Sequence, residues 1–381
     1  MFRKWIVLIC LLFNSIISIS QTGSLDNDLT SIMQKYDAVG LSLVVVIDGG
    51  IVHSQSFGYK DLKDSVPLQN NDLFRIASIS KSFVATAIMQ LYERGKISLD
   101  DDVNNHLNFE VKNPKYPDIP ITIRMLMCHR SSINDNNGYK TFDKLDPEIN
   151  HNYSQCYNDY MPGSRYNYSN LNYNLLGAIV ENLTDKRFDE FIYNNIVLPL
   201  GLNGGYNVLD LDSFLFAKAY SYNKSKGAFF QSKEAYNSYM PEISQYKLGY
   251  STPVLSPAGG MKMSATGLAN YMIMHMDGGQ YNGNRIIETE SELLMRQTPD
   301  STQTYALSLY YSKGVIPGQK LLGHTGGSHG IHTAMFFHPE KRYGFVVLCN
   351  GYRSQDSQDV DFRYQIIRCL YNHFVKKEIK N

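Results

Sequence analysis

The stretch GLSLVVVIDGGIVHSQSFG, residues 40–58, decides the fold of this chain. Its apolar run, glycine pair and second run predict a strand, a tight turn and another strand. The last third of the chain contains further strand patterns at 304–312, 319–325, 330–338 and 343–349. Strands are therefore expected near both ends of the chain.

The middle of the chain has helical spacing instead. The strongest candidate is 78–94, where apolar residues from Phe83 to Leu91 recur at intervals of three and four before Gly95 ends the pattern. Other helices are expected at 24–38, 121–129, 170–184, 187–195, 264–277 and 358–376. These patterns indicate an α+β fold, in which both chain ends build one antiparallel sheet flanked by helices. The sheet-bearing part is expected at about 21–77 and 285–381, with a mainly helical insertion at about 78–284.

The N-terminus predicts export. MFRK supplies positive charge, WIVLICLLF is apolar, and small residues precede Gln21, which is typical of a signal peptide over residues 1–20 cleaved after Ser20. A retained anchor is the alternative, but the apolar run is short for a membrane span. We therefore expect a periplasmic or secreted protein without an integral membrane segment after cleavage. Lys plus Arg equals Asp plus Glu at 36 each, which argues against a nucleic-acid partner.

Four cysteines lie beyond residue 20, at positions 128, 156, 349 and 369. Cys349 and Cys369 could form a disulfide in an exported protein, and the alternative is that all four are free thiols. No Cys-x-x-Cys pair occurs, so the sequence does not support a structural zinc site.

Three Ser-x-x-Lys matches occur, but only Ser78–Lys81 opens an amphipathic helix pattern. Residues three apart on a helix are neighbours, so the Lys81 amine could contact the Ser78 hydroxyl. Burial and the helix N-terminus would lower the pKa of Lys81 from about 10.4 and let it accept the serine proton. A surface serine that caps the helix fits this motif equally well.

Two other segments supply possible partners. In PGSRYNYSN, residues 162–170, Tyr168 could move protons if its pKa falls from about 10, and Asn170 could orient the lysine. Tyr168 could also be one more core tyrosine. In GHTGG, residues 323–327, glycines let a ligand approach the strand, and the Gly327 amide could point at an acyl oxygen.

A metal site is the competing interpretation of the histidines in this last region. His324, His329 and His332 lie close together in sequence. They lack a carboxylate partner and an HExxH helix, so a metal site is not expected.

The three segments, in this order, resemble those of serine hydrolases that include class C β-lactamases, DD-peptidase penicillin-binding proteins and related esterases. The resemblance covers nearly all of the chain beyond residue 20. It implies the β-lactamase/transpeptidase-like α/β sandwich with an inserted helical domain, a site between the two parts, and no cofactor. It also implies the following roles: Ser78 as nucleophile, Lys81 as base, Tyr168 as proton relay, Asn170, His324, Thr325 and Gly326 as substrate-binding residues, and the Ser78 and Gly327 amides as oxyanion hole.

The chain departs from the family pattern at several places, including the second motif, which is Tyr-Ser-Asn instead of Ser-Asp-Asn. His324 replaces a lysine that helps to hold a substrate carboxylate, and a histidine with a pKa near about 6.5 is mostly neutral at pH 7. Weak or no β-lactamase activity is therefore expected. Ser132 replaces a glycine near the cleft. The tyrosine-rich stretches 152–173 and 220–250 are expected to line the cleft, unless they simply pack in the core.

The resulting hypothesis is an exported hydrolase that forms an acyl-enzyme with a small ester, an amide or a D-amino-acid peptide. The same acyl-enzyme could instead pass its acyl group to an alcohol or amine. A third interpretation, a sensor that traps an acyl group, conflicts with the complete set of proton-transfer residues. The sequence does not indicate an oligomeric state.

Overall fold

The computed structural model describes residues 24–237, 244–353 and 361–376. The expected signal peptide, residues 1–20, lies outside these ranges. Within them, no helix combines the length and the apolar character that crossing a membrane requires.

The described elements alternate between short strands and helices in the middle of the chain. The helices are α1 (24–35), α2 (Ser80–Glu93), α3 (Ile123–Met127), α4 (Asn170–Thr184), α5 (Phe188–Ile192), α6 (Ala265–Met276), α7 (Thr289–Met295) and α8 (Phe362–Phe374). The strands before residue 200 are β1 (Gly40–Ile47), β2 (Gly50–Asp61), β3 (Val66–Pro67) and β4 (Phe74–Arg75). The later strands are β5 (Gly204–Gly205), β6 (Tyr220–Asn223), β7 (Ala228–Gln231), β8 (Lys262–Met263), β9 (Gln280–Tyr281), β10 (Asn284–Arg285), β11 (Tyr310–Ser312), β12 (Leu321–Ser328), β13 (Ile331–His338) and β14 (Tyr343–Cys349).

One seven-stranded antiparallel sheet organises the molecule, in the order β11–β12–β13–β14–β1–β2–β3. Strand β1 pairs with β14 over its length, from Leu41 opposite Cys349 to Ile47 opposite Tyr343. The two ends of the chain therefore build a single sheet, and the predicted α+β fold class is confirmed.

Helices cover both faces of this sheet. Leu41, Leu43 and Val45 pack in one apolar cluster with residues of α1 and α8. Val44 and Val46 point to the other face and join a larger cluster with α2, α4 and α6. Because neighbouring residues of a strand face opposite sides, burial of both faces explains why β1 reads as one continuous apolar run.

Several predicted elements have different limits in the structure. The segment 78–94 divides into a single 3₁₀ turn, Ala77–Ile79, and helix α2. Every residue from Ser80 to Leu91 is buried, so α2 is a central core helix and not an amphipathic surface helix. The strand predicted at 304–312 is wrong except for β11, because the chain turns at Ser308, where φ is +104°.

All four cysteines beyond residue 20 are free thiols, so the disulfide alternative is not observed. Cys349 is fully buried in β14, and its thiol donates to the Gly351 carbonyl at 3.3 Å.

Strand β12 lies directly against the 3₁₀ turn that carries Ser78. A Cβ atom at Gly326 would lie 2.3 Å from Thr333 Oγ1 and 2.4 Å from the Ile76 carbonyl oxygen. Thr333 Oγ1 also donates to that carbonyl at 2.9 Å. The preceding residue of the turn, Ala77, has the left-handed φ of +48°, which is uncommon for a residue with a side chain. Close packing against β12 thus holds this strained turn.

We predict that Gly326→Ala lowers the free energy of unfolding by about 1–3 kcal/mol, because the added methyl group overpacks this contact. Gly327→Ala is the matched control, since a Cβ at that position meets no atom within 4 Å. Urea denaturation of both variants checks this. Equal stability of the two variants would contradict the described contact.

Candidate active site

The three segments singled out in the sequence meet in one cleft between the sheet and the helical part. A cavity of about 750 Å³ lies on one side of Ser78, and a smaller one of about 190 Å³ lies on the other. Ser78, Tyr168 and Gly327 line both cavities. His324 and Thr325 line only the large cavity, and Asn170 lines only the small one. Gly326 lines neither, because it packs on the turn before Ser78.

Lys81 lies beside this cleft, where it contacts several of the lining residues, and is fully buried. Its Nζ atom lies 3.3 Å from Ser78 Oγ, 2.8 Å from Asn170 Oδ1 and 2.8 Å from the Ala258 carbonyl oxygen. Burial lowers the pKa of Lys81 to about 7, although the nearby Asp135 carboxylate opposes this shift. A substantial fraction of Lys81 is therefore neutral at neutral pH.

The partners of Lys81 determine where its lone pair points. A carbonyl oxygen can only accept hydrogen bonds, so Ala258 and Asn170 Oδ1 take the two N–H groups of a neutral amine. The lone pair is then left for Ser78, whose hydroxyl can donate to it. This arrangement is the geometry that a general base requires.

Asp135, which the sequence reading missed, sets the orientation of Asn170. Its carboxylate accepts from the Asn170 backbone N–H at 2.8 Å and from Asn170 Nδ2 at 2.9 Å. It also accepts from Ser169 Oγ at 2.7 Å and the Leu171 N–H at 3.2 Å, at the start of α4. A carboxylate can only accept, so the Asn170 Nδ2 must face Asp135 and its Oδ1 must face Lys81. A sequence separation of 35 residues gives no local signal of this contact.

Tyr168 lies beside both reacting groups. The Ser78 side chain is close enough to act against the rise in the pKa of Tyr168, and Lys81 Nζ lies 4.8 Å from the centre of the Tyr168 ring. The pKa of Tyr168 is not lowered, because burial raises it above its ordinary value. Tyr168 is thus a neutral phenol that can donate a proton, and Lys81 is the group that titrates near pH 7.

His324 is buried and fully engaged within the protein. Its Nδ1 lies 2.5 Å from the Thr325 carbonyl oxygen, which can only accept, so Nδ1 carries the proton. Its Nε2 then accepts from the Tyr305 hydroxyl at 3.1 Å. Burial lowers the pKa of His324 to about 3, with a smaller contribution from Lys81. At this position the cleft therefore has a neutral side chain without a free donor.

The other two histidines of the metal-site alternative lie in separate environments. His332 packs against Tyr352 with ring centres 4.4 Å apart and tilted ring planes, and His329 lies in the turn between β12 and β13 with φ +54°. Neither belongs to a group of three candidate metal ligands within the described ranges.

Tyrosines line the large cavity, but only some of those expected. Tyr166 and Tyr168 come from the stretch 152–173, and Tyr305 and Tyr310 come from the segment around β11. No described residue of 220–250 lines either cavity, so that expectation is wrong for the residues that the structure describes. Tyr236 instead packs inside the fold and donates to the Ala217 carbonyl at 2.6 Å.

The segment CHRSSI, residues 128–133, supports the Tyr168 loop. His129 is fully buried, its ring centre lies 4.3 Å from that of Tyr168, and its Nδ1 accepts from the Ser169 N–H at 3.2 Å. Ser132 has φ +66°, a conformation that glycine adopts at the lowest cost, which accounts for the glycine usual in the family. Its Oγ accepts from Asn113 Nδ2 at 2.9 Å, a contact that glycine could not make.

We predict that kcat/KM falls about tenfold per pH unit below pH 7, because protonation of Lys81 removes the base. In Asp135→Asn the acid limb, the low-pH part of the profile where kcat/KM falls, moves to lower pH, since the lost carboxylate raised the pKa of Lys81. The plateau, which is the maximal kcat/KM above the acid limb, also falls, because the new carboxamide can donate to Asn170 and let the Asn170 amide flip. The measurement is a pH profile of ester hydrolysis.

Asp159→Asn is the control for the lost charge, because Asp159 is 80% exposed and pairs only with Lys115 among its described contacts. Its acid limb should match that of the wild type. A lower plateau in Asp135→Asn with an unshifted limb would show a purely structural role for Asp135.

Comparisons with known proteins agree with this geometry. The protein-family model described as Beta-lactamase matches residues 25–368. A curated relative, the putative penicillin-binding protein PbpX of Bacillus subtilis, is 29% identical over 293 residues, or 73% of this chain and 65% of that protein. The chain spans about three fifths of the length of the curated relatives it matches.

Two solved structures have the same fold. The octameric penicillin-binding protein homologue from Pyrococcus abyssi has a TM-score of 0.73 at 25% identity and covers 92% of this chain and 77% of its own. EstCE1, a hydrolase with promiscuous acyltransferase activity, has a TM-score of 0.71 at 21% identity and covers 93% and 100%. The family model spans nearly the whole chain and includes every residue of the cleft, so this chain belongs to the β-lactamase family.

Proposed function

We propose that this protein is a serine hydrolase that forms an acyl-enzyme on Ser78. The observation that carries the proposal is the fully buried Lys81 amine, whose third hydrogen-bond position faces Ser78 Oγ. A surface helix cap would not need a buried lysine with a pKa of about 7. The family membership of the chain supports the same chemistry.

In the acylation step, Lys81 Nζ accepts the Ser78 proton while Oγ bonds to the carbonyl carbon of the substrate. Ser78 and Gly327 both line the cleft, and their backbone N–H groups would stabilise the oxyanion. Tyr168 gives its phenol proton to the leaving alkoxide or amine, and the proton on Lys81 then restores the phenol. The bond between the carbonyl carbon and the leaving group breaks in this step.

Deacylation repeats this sequence with water as the nucleophile. Neutral Lys81 accepts the water proton through the Tyr168 hydroxyl, which takes that proton as it passes its own to Lys81. The water oxygen bonds to the acyl carbon, and Ser78 Oγ leaves with a proton from Tyr168 or Lys81. The products are a carboxylic acid and the free enzyme.

The cleft favours substrates without a charged group near His324. His324 is neutral, and four tyrosines line the large cavity. We propose that the substrate is a small ester, an amide or a D-amino-acid peptide with an apolar or aromatic portion. β-Lactam hydrolysis is expected to be weak or absent, because the neutral His324 takes the place of the lysine that binds the β-lactam carboxylate in the family pattern.

We predict that a fluorophosphonate probe modifies the wild type once and that Ser78→Ala abolishes the modification, as read by intact mass and peptide mapping. Ser80→Ala is the matched control, since the Ser80 hydroxyl points into the core and accepts from the Met261 N–H at 3.1 Å. Unchanged labelling of Ser78→Ala would refute the assignment. Turnover of a chromogenic ester beyond one equivalent separates an enzyme from an acyl-trapping sensor.

Acyl transfer is the second candidate, and the large cavity beside Ser78 favours it because it leaves room for an acceptor alcohol. EstCE1, which shares the fold, is described as having promiscuous acyltransferase activity. Product analysis with an added alcohol distinguishes the two reactions. Ester products no higher than the uncatalysed background would leave hydrolysis as the reaction.

We also propose that the protein acts outside the cytoplasm, on the basis of the signal-peptide pattern of residues 1–20. The expected outcome of expression with the full chain is a mature protein that begins at Gln21 in the periplasmic or secreted fraction. Intact mass and cell fractionation measure this. An uncleaved chain in the cytoplasm would contradict the proposal.

A further inference from the structure

An arginine of the C-terminal helix reaches the strand that borders the cleft. Arg363 is the second residue of α8, lines the large cavity, and has a side chain only 13% exposed. The structure therefore contains a cation next to the site that the proposed mechanism does not use.

Most donors of Arg363 are bound within the protein. Its Nε donates to Asp361 Oδ1 at 2.9 Å, and its Nη2 donates to Asp361 Oδ2. Its Nη1 donates to the Gly326 carbonyl at 2.9 Å and to the Thr333 carbonyl at 3.1 Å. The planar guanidinium thus connects the start of α8 with strands β12 and β13.

The contact with Gly326 matters because its carbonyl and the Gly327 N–H belong to the same peptide group. In a planar trans peptide these two groups point in opposite directions. A donor that holds the Gly326 carbonyl on one side therefore aims the Gly327 N–H away from Arg363, and Gly327 lines both cavities together with Ser78. A cationic donor also polarises the peptide and makes its N–H a stronger hydrogen-bond donor.

We propose that Arg363 is a positioning residue for the oxyanion hole: it orients and polarises the Gly326–Gly327 peptide. This inference rests on the proposed function, because it assigns a role in stabilising the oxyanion of Ser78 acylation. Asp361 contributes to this positioning, since its two hydrogen bonds with Arg363 fix the plane of the guanidinium.

A different role for this arginine would be the binding of a substrate carboxylate. The ion pair with Asp361 argues against it. Burial works against ionisation of Asp361, but hydrogen bonds and charge from Arg363 hold the pKa of Asp361 below its usual value. The carboxylate is therefore ionised at neutral pH and neutralises the guanidinium, and Nη1 already has two carbonyl acceptors.

The test compares Arg363→Met with wild type on three aryl esters: a neutral ester, the same ester with a carboxylate on its leaving group, and its thionoester. Sulfur fits an oxyanion hole poorly, so the rate ratio of oxygen ester to thionoester reports the strength of the hole. Arg368→Met is the matched control. Arg368 lies on the same helix and also donates to two backbone carbonyls, of Val315 and Gly314, at 2.8 and 2.6 Å.

We expect Arg363→Met to lower kcat about tenfold for both oxygen esters with little change in KM. Loss of a whole oxyanion donor costs about 10²–10³ in kcat, and here the donor remains but is less well held. The oxygen-to-sulfur ratio should fall in Arg363→Met and stay at the wild-type value in Arg368→Met.

Two results would overturn the inference. A rise in KM confined to the carboxylate ester would identify Arg363 as a carboxylate-binding residue. An unchanged oxygen-to-sulfur ratio would leave only a structural role for it.

Fluorophosphonate labelling of each variant, read by intact mass, distinguishes failure of this inference from failure of the proposed function. Absence of Ser78 labelling in the wild type would refute the proposed function and this inference with it. Labelling of the wild type together with an unchanged oxygen-to-sulfur ratio in Arg363→Met would refute the inference alone.

Discussion

The burial of one lysine amine is the constraint on which the rest of the cleft depends. An unpaired ammonium in a dry environment is costly, so Lys81 requires either partners for its N–H groups or loss of its proton. The protein supplies both, with acceptors from Asn170 and Ala258 and a pKa of about 7. Each acceptor comes from a different part of the chain, so α4 and the loop before β8 must both pack against α2 before Lys81 can take the proposed role of base.

A second constraint links the sheet to the nucleophile. Ser78 lies on a turn whose preceding residue has a left-handed φ, and this turn is held by the packing of β12 through Gly326 and by the Thr333 hydroxyl. The same strand continues to Gly327 and is held on its far side by Arg363. The proposed nucleophile and the proposed oxyanion donor are thereby both held by one strand, which keeps their relative positions fixed.

Much of the architecture could be predicted because its signals are local. The limits of α4 and β14 match the expected ranges, and the pairing of both chain ends followed from where the strand patterns lie. The pattern at 304–312 failed because alternation of residue types does not reveal the turn at Ser308. The direction of the pKa shift of Tyr168 could not be predicted either, since its burial depends on rings such as His129 and Tyr305 that are distant in sequence.

The sequence by itself determined the fold class and the candidates for the reacting side chains, because helix and strand periodicity and the spacing of Ser78 and Lys81 are short-range properties. Only the tertiary structure decided how those side chains are tuned. The orientation of Asn170 by Asp135, the neutral state of His324 and the contact of Arg363 with the Gly326 peptide all join residues far apart in the chain. Hydrogen-bond direction and burial arise from that packing, and a linear pattern carries no record of them.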